Sequence, residues 1–299
     1  MNSCVTAQDL QIVSMLRKSN EESVKDQDPG LQYELQSVEE RRIPTRSGEI
    51  DVIVYTPKGV YPDGLPVFFN IHGGGFIMAH AWMDGPFCRR IAASTPCLVV
   101  NIEYRLAPET PFPGGLEDCY DAVKWVRGHA GEIGADADRM AIGGYSAGGN
   151  LSAAVCLMDR TQKKLGLKDQ ILCYAPFDLA GVKDAKTRMP EEMNALPPEA
   201  SDMINRCYLG DDAKLTDELA SPLCAKDLTG LPPVFMLVGD RDSLMFSAQD
   251  YAEKLEEAGV PHELKIYPGM GHAFTHEPIP EADDAWDTIC ERLRSTFSR

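Results

Sequence analysis

Positive charge is scarce in this chain. Its 299 residues set 29 Lys and Arg against 46 Asp and Glu, a formal net charge of −17, and no Lys/Arg-rich run offsets that field. Phosphate backbones and anionic lipid surfaces would be repelled, which excludes nucleic acid and disfavours membrane surfaces as partners. Long apolar runs are missing too. The longest, such as Pro232 to Gly239 and Leu151 to Met158, fall far short of the roughly 20 residues a spanning helix needs, so no membrane anchor is expected. The first residues carry neither a basic n-region nor an apolar h-region, and no signal peptide is expected. Nine cysteines are present, an odd count, with no C-x-x-C pair and several inside apolar runs, where a thiol acts as a small hydrophobe. That usage points to a reducing, cytoplasmic setting without disulfide framework or zinc site, and neither metal nor cofactor is expected. Internal repeats and low-complexity tracts are absent. What remains is ordinary globular composition, 43% hydrophobic and 25% charged, long enough for one large α/β domain or two small ones.

Hydrophobic periodicity orders the chain. Residues Ala7 to Lys18 put Leu10, Val13 and Leu16 on one helical face, with Ile12 and Met15 beside them. Val38–Pro44 and Ile50–Pro57 read as strands joined by a turn at Ser47-Gly48. Further strands are expected at Pro66–Ile71, Pro96–Ile102, Arg139–Gly143, Ile171–Ala175, Val234–Val238 and Glu263–Tyr267. Helices are expected at Phe87–Ser94, Leu116–Arg127, Asn150–Arg160, Ala248–Ala258 and Asp283–Phe297. Strands alternating with helices imply βαβ units and a mainly parallel sheet covered on both faces. Between Asp178 and Leu231 the alternation stops. That stretch carries Pro190, Pro197, Pro198, Pro222, Met189, Met193 and Met203, and is too long for a bare connection. An inserted lid of short helices is expected, with the N-terminal helix packed beside it.

The chemistry concentrates in two glycine-rich turns. Gly144-Tyr145-Ser146-Ala147-Gly148 is a G-x-S-x-G between a strand and a helix, the context in which such a serine stands exposed on a sharp turn. The helix start beneath Ser146 adds partial positive charge. His72-Gly73-Gly74-Gly75-Phe76 follows another strand, and its glycines let N–H groups approach a ligand unhindered. Together with the N–H of Ala147 they would form an oxyanion hole, each donor worth roughly 3 kcal/mol of transition-state stabilisation. A phosphate cradle is weakly supported, since neither G-x-G-x-x-G nor G-K-S/T is present. A nucleophilic serine needs a base and an orienting acid. Of the six histidines, His272, between Gly271 and Ala273 after the last strand, stands where the order Ser, acid, His puts the base. His276 is its local rival, while His129 and His262 read as surface or packing residues. Asp240 and Asp242 both follow the strand ending at Val238, where open α/β sheets gather their sites. Asp242 is preferred, with Asp240 left to pair with Arg241 or cap a turn.

These motifs, with Tyr104-Arg105-Leu106-Ala107-Pro108-Glu109, Phe112-Pro113 with Glu117-Asp118, and Ser146-Ala147-Gly148-Gly149-Asn150-Leu151, resemble those of the hormone-sensitive-lipase family of α/β-hydrolases. The resemblance runs from about Ile50 to the C-terminus. It implies a single α/β-hydrolase domain over 1–299, a mostly parallel central sheet flanked by helices, and a small helical cap from about 1–37 and 179–228. It also implies hydrolysis of carboxylic esters through Ser146, Asp242 and His272, with Gly74, Gly75 and Ala147 donating to the oxyanion. The substrate would be a small-molecule ester with a short acyl chain, and activity would fall at acid pH as His272 protonates. Members often form homodimers through the last strand and helix. Deacetylation or formamide cleavage would use the same triad, and a ligand-binding receptor of the same fold is the alternative outside enzymes. A serine peptidase fits less well with a short cap and no repeat domain. Tyr145 stands where the family usually has an acid, which would change the pocket's electrostatics. Ser243 replaces a proline, and the Tyr104–Glu109 segment reads as a structural turn.

Overall fold

Every side chain of two strands, Leu65–Ile71 and Leu98–Ile102, is buried, as expected where a sheet is covered on both faces. They are β3 and β4 of one eight-stranded sheet in a computed structural model that describes residues 5–25, 27–181 and 197–298. The other strands are β1 (Leu35–Thr45), β2 (Gly48–Pro57), β5 (Ala135–Tyr145), β6 (Leu167–Cys173), β7 (Val234–Gly239) and β8 (His262–Tyr267). Their order is β1-β2-β4-β3-β5-β6-β7-β8. All neighbours from β4 to β8 are parallel, and only β1–β2 and β2–β4 pair antiparallel. Helices α2 (Gly85–Ser94) and α7 (Pro280–Phe297) pack on one face; α3 (Gly114–Gly128), α4 (Ala147–Asp159) and α6 (Met245–Glu257) cover the other. The mainly parallel, two-sided sheet expected from the alternation is therefore present, in the α/β-hydrolase architecture that the resemblance implies. Among the described residues, no helix is long and apolar enough to cross a membrane.

Two local expectations are corrected. The β1–β2 hairpin turns at Arg46-Ser47, because Thr45 pairs with Gly48 and leaves only two residues outside the ladder. In α1 (Ala7–Ser23), Leu10 and Met15 face solvent; the packed side carries Asp9, Val13, Ile12, Leu16 and Arg17. Ion pairs at both ends set this rotation. Asp9 accepts from Arg206 Nη2 at 2.8 Å, and Arg17 pairs with Glu109 at 2.7 Å. Apolar spacing alone cannot reveal such anchors. The helix begins with a reciprocal capping box between Thr6 and Asp9.

The insertion after β6 contains α5 (Pro198–Leu209) and short turns at Asp212–Thr216 and Pro222–Cys224. Met189, Pro190 and Met193 lie outside the described residues. The two ends of the insertion are tied together. Asn150 Nδ2 donates to the carbonyls of Pro176 (2.7 Å) and Ala220 (2.9 Å), Leu223 N to Phe177 O (2.9 Å), and Leu179 N to Ser221 Oγ (2.9 Å). Arg206 joins α5 to α1, so the two segments meet over one end of the sheet.

Helix α7 is locked to β6 by a buried carboxylate. Asp169 accepts from Arg292 Nε (2.6 Å), Arg292 Nη2 (2.9 Å) and Thr296 Oγ1 (2.6 Å). Removing one partner of such a pair leaves a charge without compensation in a poorly solvated place. Arg292→Met is expected to cost about 3 kcal/mol of stability, read as a lower urea midpoint; an unchanged midpoint would show that the lock contributes nothing.

Candidate active site

Strand β5 ends at Tyr145 and α4 begins at Ala147, so the chain must reverse direction at Ser146. It does so with φ +51° and ψ −119°, a left-handed conformation costing a side-chain-bearing residue of order 1–3 kcal/mol. The turn is held by Ser146 N–H donating to Cys173 O at 2.9 Å. The flanking glycines answer a steric demand. A Cβ on Gly144 or Gly148 would strike the carbonyl of Ile71, and one on Gly149 would lie 2.8 Å from the Cβ of Ala175.

The structure brings Ser146, His272 and Asp242 together from three separate loops. Ser146 Oγ lies 3.1 Å from His272 Nε2, and His272 Nδ1–H donates to Asp242 Oδ2 at 2.7 Å. Asp242 is almost fully buried, its other oxygen accepting from Leu244 N–H at 2.9 Å, while His272 is 39% exposed. Asp240 points elsewhere and accepts from Gly269 N–H at 2.7 Å, bracing the loop that carries the histidine. His276 keeps one side exposed, its ring touching Phe87 and Tyr145 and its Nδ1 lying 3.2 Å from the Tyr174 hydroxyl, apart from the Ser146–His272 contact. His129 stacks on Trp125, and His262 bonds to Val260 O. Tyr174, with φ +36°, is a neighbour of His272 that sequence reasoning missed. Its ring meets His272 edge-on at 5.1 Å between centroids, and its hydroxyl bonds Thr275 Oγ1 at 2.6 Å.

The glycine loop stands opposite. Gly74 and Gly75 have φ of +103° and +59°, and Phe76 continues at +66°. A Cβ on Gly74 would collide with the carbonyl of Met78, so the turn tolerates no side chain there. Among the described residues, the N–H groups of Gly74, Gly75 and Ala147 have no acceptor, leaving them free for a ligand oxygen. His72 lies beneath the loop, stacked on Tyr104 at 4.2 Å, and burial lowers its pKa to about 4. The Tyr104–Glu109 segment buttresses the loop: Ala107 N–H donates to Phe76 O at 3.0 Å.

Over Ser146 opens a cavity of about 420 Å³, lined by Phe76, Pro176, Leu179, Ile204 and Leu244 together with Ser146, Asp242 and His272. Ile204 of α5 sits directly above Gly75. Tyr145 does not line this cavity. It is buried behind the serine against Phe87 and Trp286, so the expected electrostatic effect on the pocket does not arise by contact.

A family profile described as "alpha/beta hydrolase fold" matches residues 68–276. The chain is 35% identical over 231 residues to an arylesterase of Saccharolobus solfataricus, covering 77% of this chain and 74% of that protein. It is also 35% identical over 244 residues to carboxylesterase NlhH of Mycobacterium tuberculosis, covering 79% and 75%. Among solved structures, the thermostable carboxylesterase EstE1 from a metagenomic library superposes with a TM-score of 0.88 at 33% identity, over 95% of this chain and 97% of that one.

The fully buried His72 ties stability to pH. Its folded pKa of about 4 lies below the ordinary 6.5, so as pH falls between these values the unfolded chain binds more protons and stability declines. His72→Gln is expected to flatten that decline by roughly 3 kcal/mol between pH 7 and 4. Urea titrations at the two pH values measure it, and parallel declines in both proteins would refute it.

Proposed function

The chain belongs to the alpha/beta-hydrolase family, and from that premise we propose that it is a serine carboxylesterase acting on short-chain, uncharged esters. The observation that carries the reading is the unbroken chain of contacts from Ser146 Oγ through His272 to Asp242, beside three backbone N–H groups that have no acceptor among the described residues. In the proposed mechanism Ser146 Oγ attacks the ester carbonyl while His272 Nε2 takes its proton. Asp242 holds the Nδ1–H tautomer and stabilises the imidazolium. The N–H groups of Gly74, Gly75 and Ala147 receive the developing oxyanion, each contributing roughly 3 kcal/mol that water could not supply without reorganising. His272 then protonates the leaving alcohol, and a water deprotonated by the same ring releases the acid from the acyl-enzyme.

Substrate character is inferred from the cavity. Apart from Asp242 and His272, its described lining carries no charged side chain, so an ionic substituent would lose hydration without a counter-charge. Leu179 and Ile204 stand over the nucleophile and limit acyl length. In this reading the cap is formed by about 1–37 and 179–228, within which α1 and α5 are described. A homodimer would join at β8, the sheet edge where Ile266 is exposed.

Ser146→Ala is expected to lower turnover of p-nitrophenyl butyrate by at least about 10⁴-fold with the fold intact. A fluorophosphonate should label Ser146 in the native protein. Full activity of the variant, or absence of the adduct, would overturn the assignment, and the latter would favour a binding protein. Across p-nitrophenyl esters of increasing acyl length, kcat/KM is expected to peak at acetate to butyrate. A maximum at long chains would contradict the cavity argument.

A further inference from the structure

Arg17 of α1 makes four hydrogen bonds, and only two of them serve its ion pair. Nη1 and Nη2 grip the Glu109 carboxylate at 2.9 and 2.7 Å. Nε donates instead to the carbonyl of Ile77 at 2.7 Å, and Nη2 also reaches the carbonyl of Ala107 at 2.9 Å. With Glu109 63% exposed, the ion pair alone adds little. The two carbonyls are the informative contacts. Ile77 closes the glycine loop: its N–H and that of Met78 both return to Gly74 O, at 3.1 and 3.0 Å. Ala107 is the residue whose N–H holds Phe76 O. One guanidinium thus joins the glycine loop, at Ile77, to the neighbouring loop whose Ala107 braces Phe76.

That backbone has three consecutive residues in the left-handed region. Such conformations persist only where the surroundings over-determine them. An oxyanion hole has value only if its donors already point to where charge develops. Ala107 supplies one external constraint on this loop and Arg17 another, beside the Tyr104 hydroxyl on Gly73 O and the stacking of Phe76 on Tyr208. We propose that Arg17 is a positioning residue for oxyanion stabilisation, so that the first helix, far from the reacting atoms, sets the aim of the Gly74 and Gly75 N–H groups. This rests on reading Ser146 as nucleophile and those N–H groups as its oxyanion donors.

The test compares Arg17→Ala, Arg17→Lys and Ser146→Ala, using p-nitrophenyl butyrate and a trifluoromethyl ketone, whose adduct places an oxyanion in the hole. Lysine can still pair with Glu109 but cannot span carboxylate and two carbonyls in one planar fork. Arg17→Lys therefore keeps the charge pair while losing the clamp, and serves even if the alanine variant folds poorly. Both Arg17 variants are expected to lose about 10–100-fold in kcat, with KM within about threefold of wild type. Ketone affinity should fall by a similar factor. A folded Arg17→Lys with wild-type kcat and ketone affinity would overturn the proposal. So would a kcat loss that vanishes on cooling well below the unfolding transition, since that marks simple destabilisation. Retained turnover by Ser146→Ala would overturn the underlying assignment of the nucleophile; an inactive Ser146→Ala beside an unimpaired Arg17→Lys overturns only the role of Arg17.

Discussion

Strands β3 and β5 lie side by side, with Ile71 paired to Gly144, so their ends arrive at the same place. The space between them is too small for side chains. The carbonyl of Ile71 occupies the volume a Cβ on Gly144 or Gly148 would need, and a Cβ on Gly73 would lie 3.0 Å from Tyr145 O and 3.6 Å from Ser146 Cβ. This close approach of two backbones puts the serine and the glycine loop within reach of one ligand atom. Its cost is the left-handed geometry at Ser146, Gly74, Gly75 and Phe76. The fully buried parallel strands around it offset that strain.

Burial then sorts the titratable groups. His72 is enclosed and kept neutral, pulled down to about 4 by loss of hydration. His272 alone faces the cavity, with a carboxylate on one ring nitrogen and a hydroxyl on the other. In the proposed mechanism proton transfer is therefore confined to a single ring. The net charge of −17 is a property of the surface rather than of the cavity, whose described lining is charged only at Asp242 and, when protonated, His272.

Most of the sheet could be read from the sequence, because buried parallel strands are short apolar runs and each announces itself locally. The strand expected at Arg139–Gly143 runs from Ala135 to Tyr145, since its first residues are polar enough to hide the pairing. The glycine turns were legible for a similar reason: steric demands at Gly74, Gly144 and Gly148 restrict residue type at fixed spacing. The choice of Asp242 over Asp240 rested on spacing, and the geometry puts Asp242 against His272 while Asp240 braces Gly269. Other features left no local trace. Arg17 meets Ile77 across sixty positions and Tyr174 meets Thr275 across a hundred and one. Both look like unremarked helix and strand-end residues until the chain is folded. The orientation of α1 was misjudged because polar contacts of Asp9 and Arg17, rather than its apolar stripe, decide which side docks.

Asn150, in the first turn of the helix behind the serine, holds Pro176 and Ala220 together with one side-chain amide. The chain between those points is in effect a closed ring mounted on the scaffold. Closing a longer ring adds only about 0.6 kcal/mol for each doubling of its length. Segments of different length and composition can therefore be exchanged above the same serine without disturbing the sheet beneath. The fold is thereby built for divergence: the chemistry is inherited with β3, β5 and their glycines, while the choice of ester is left to an interchangeable part.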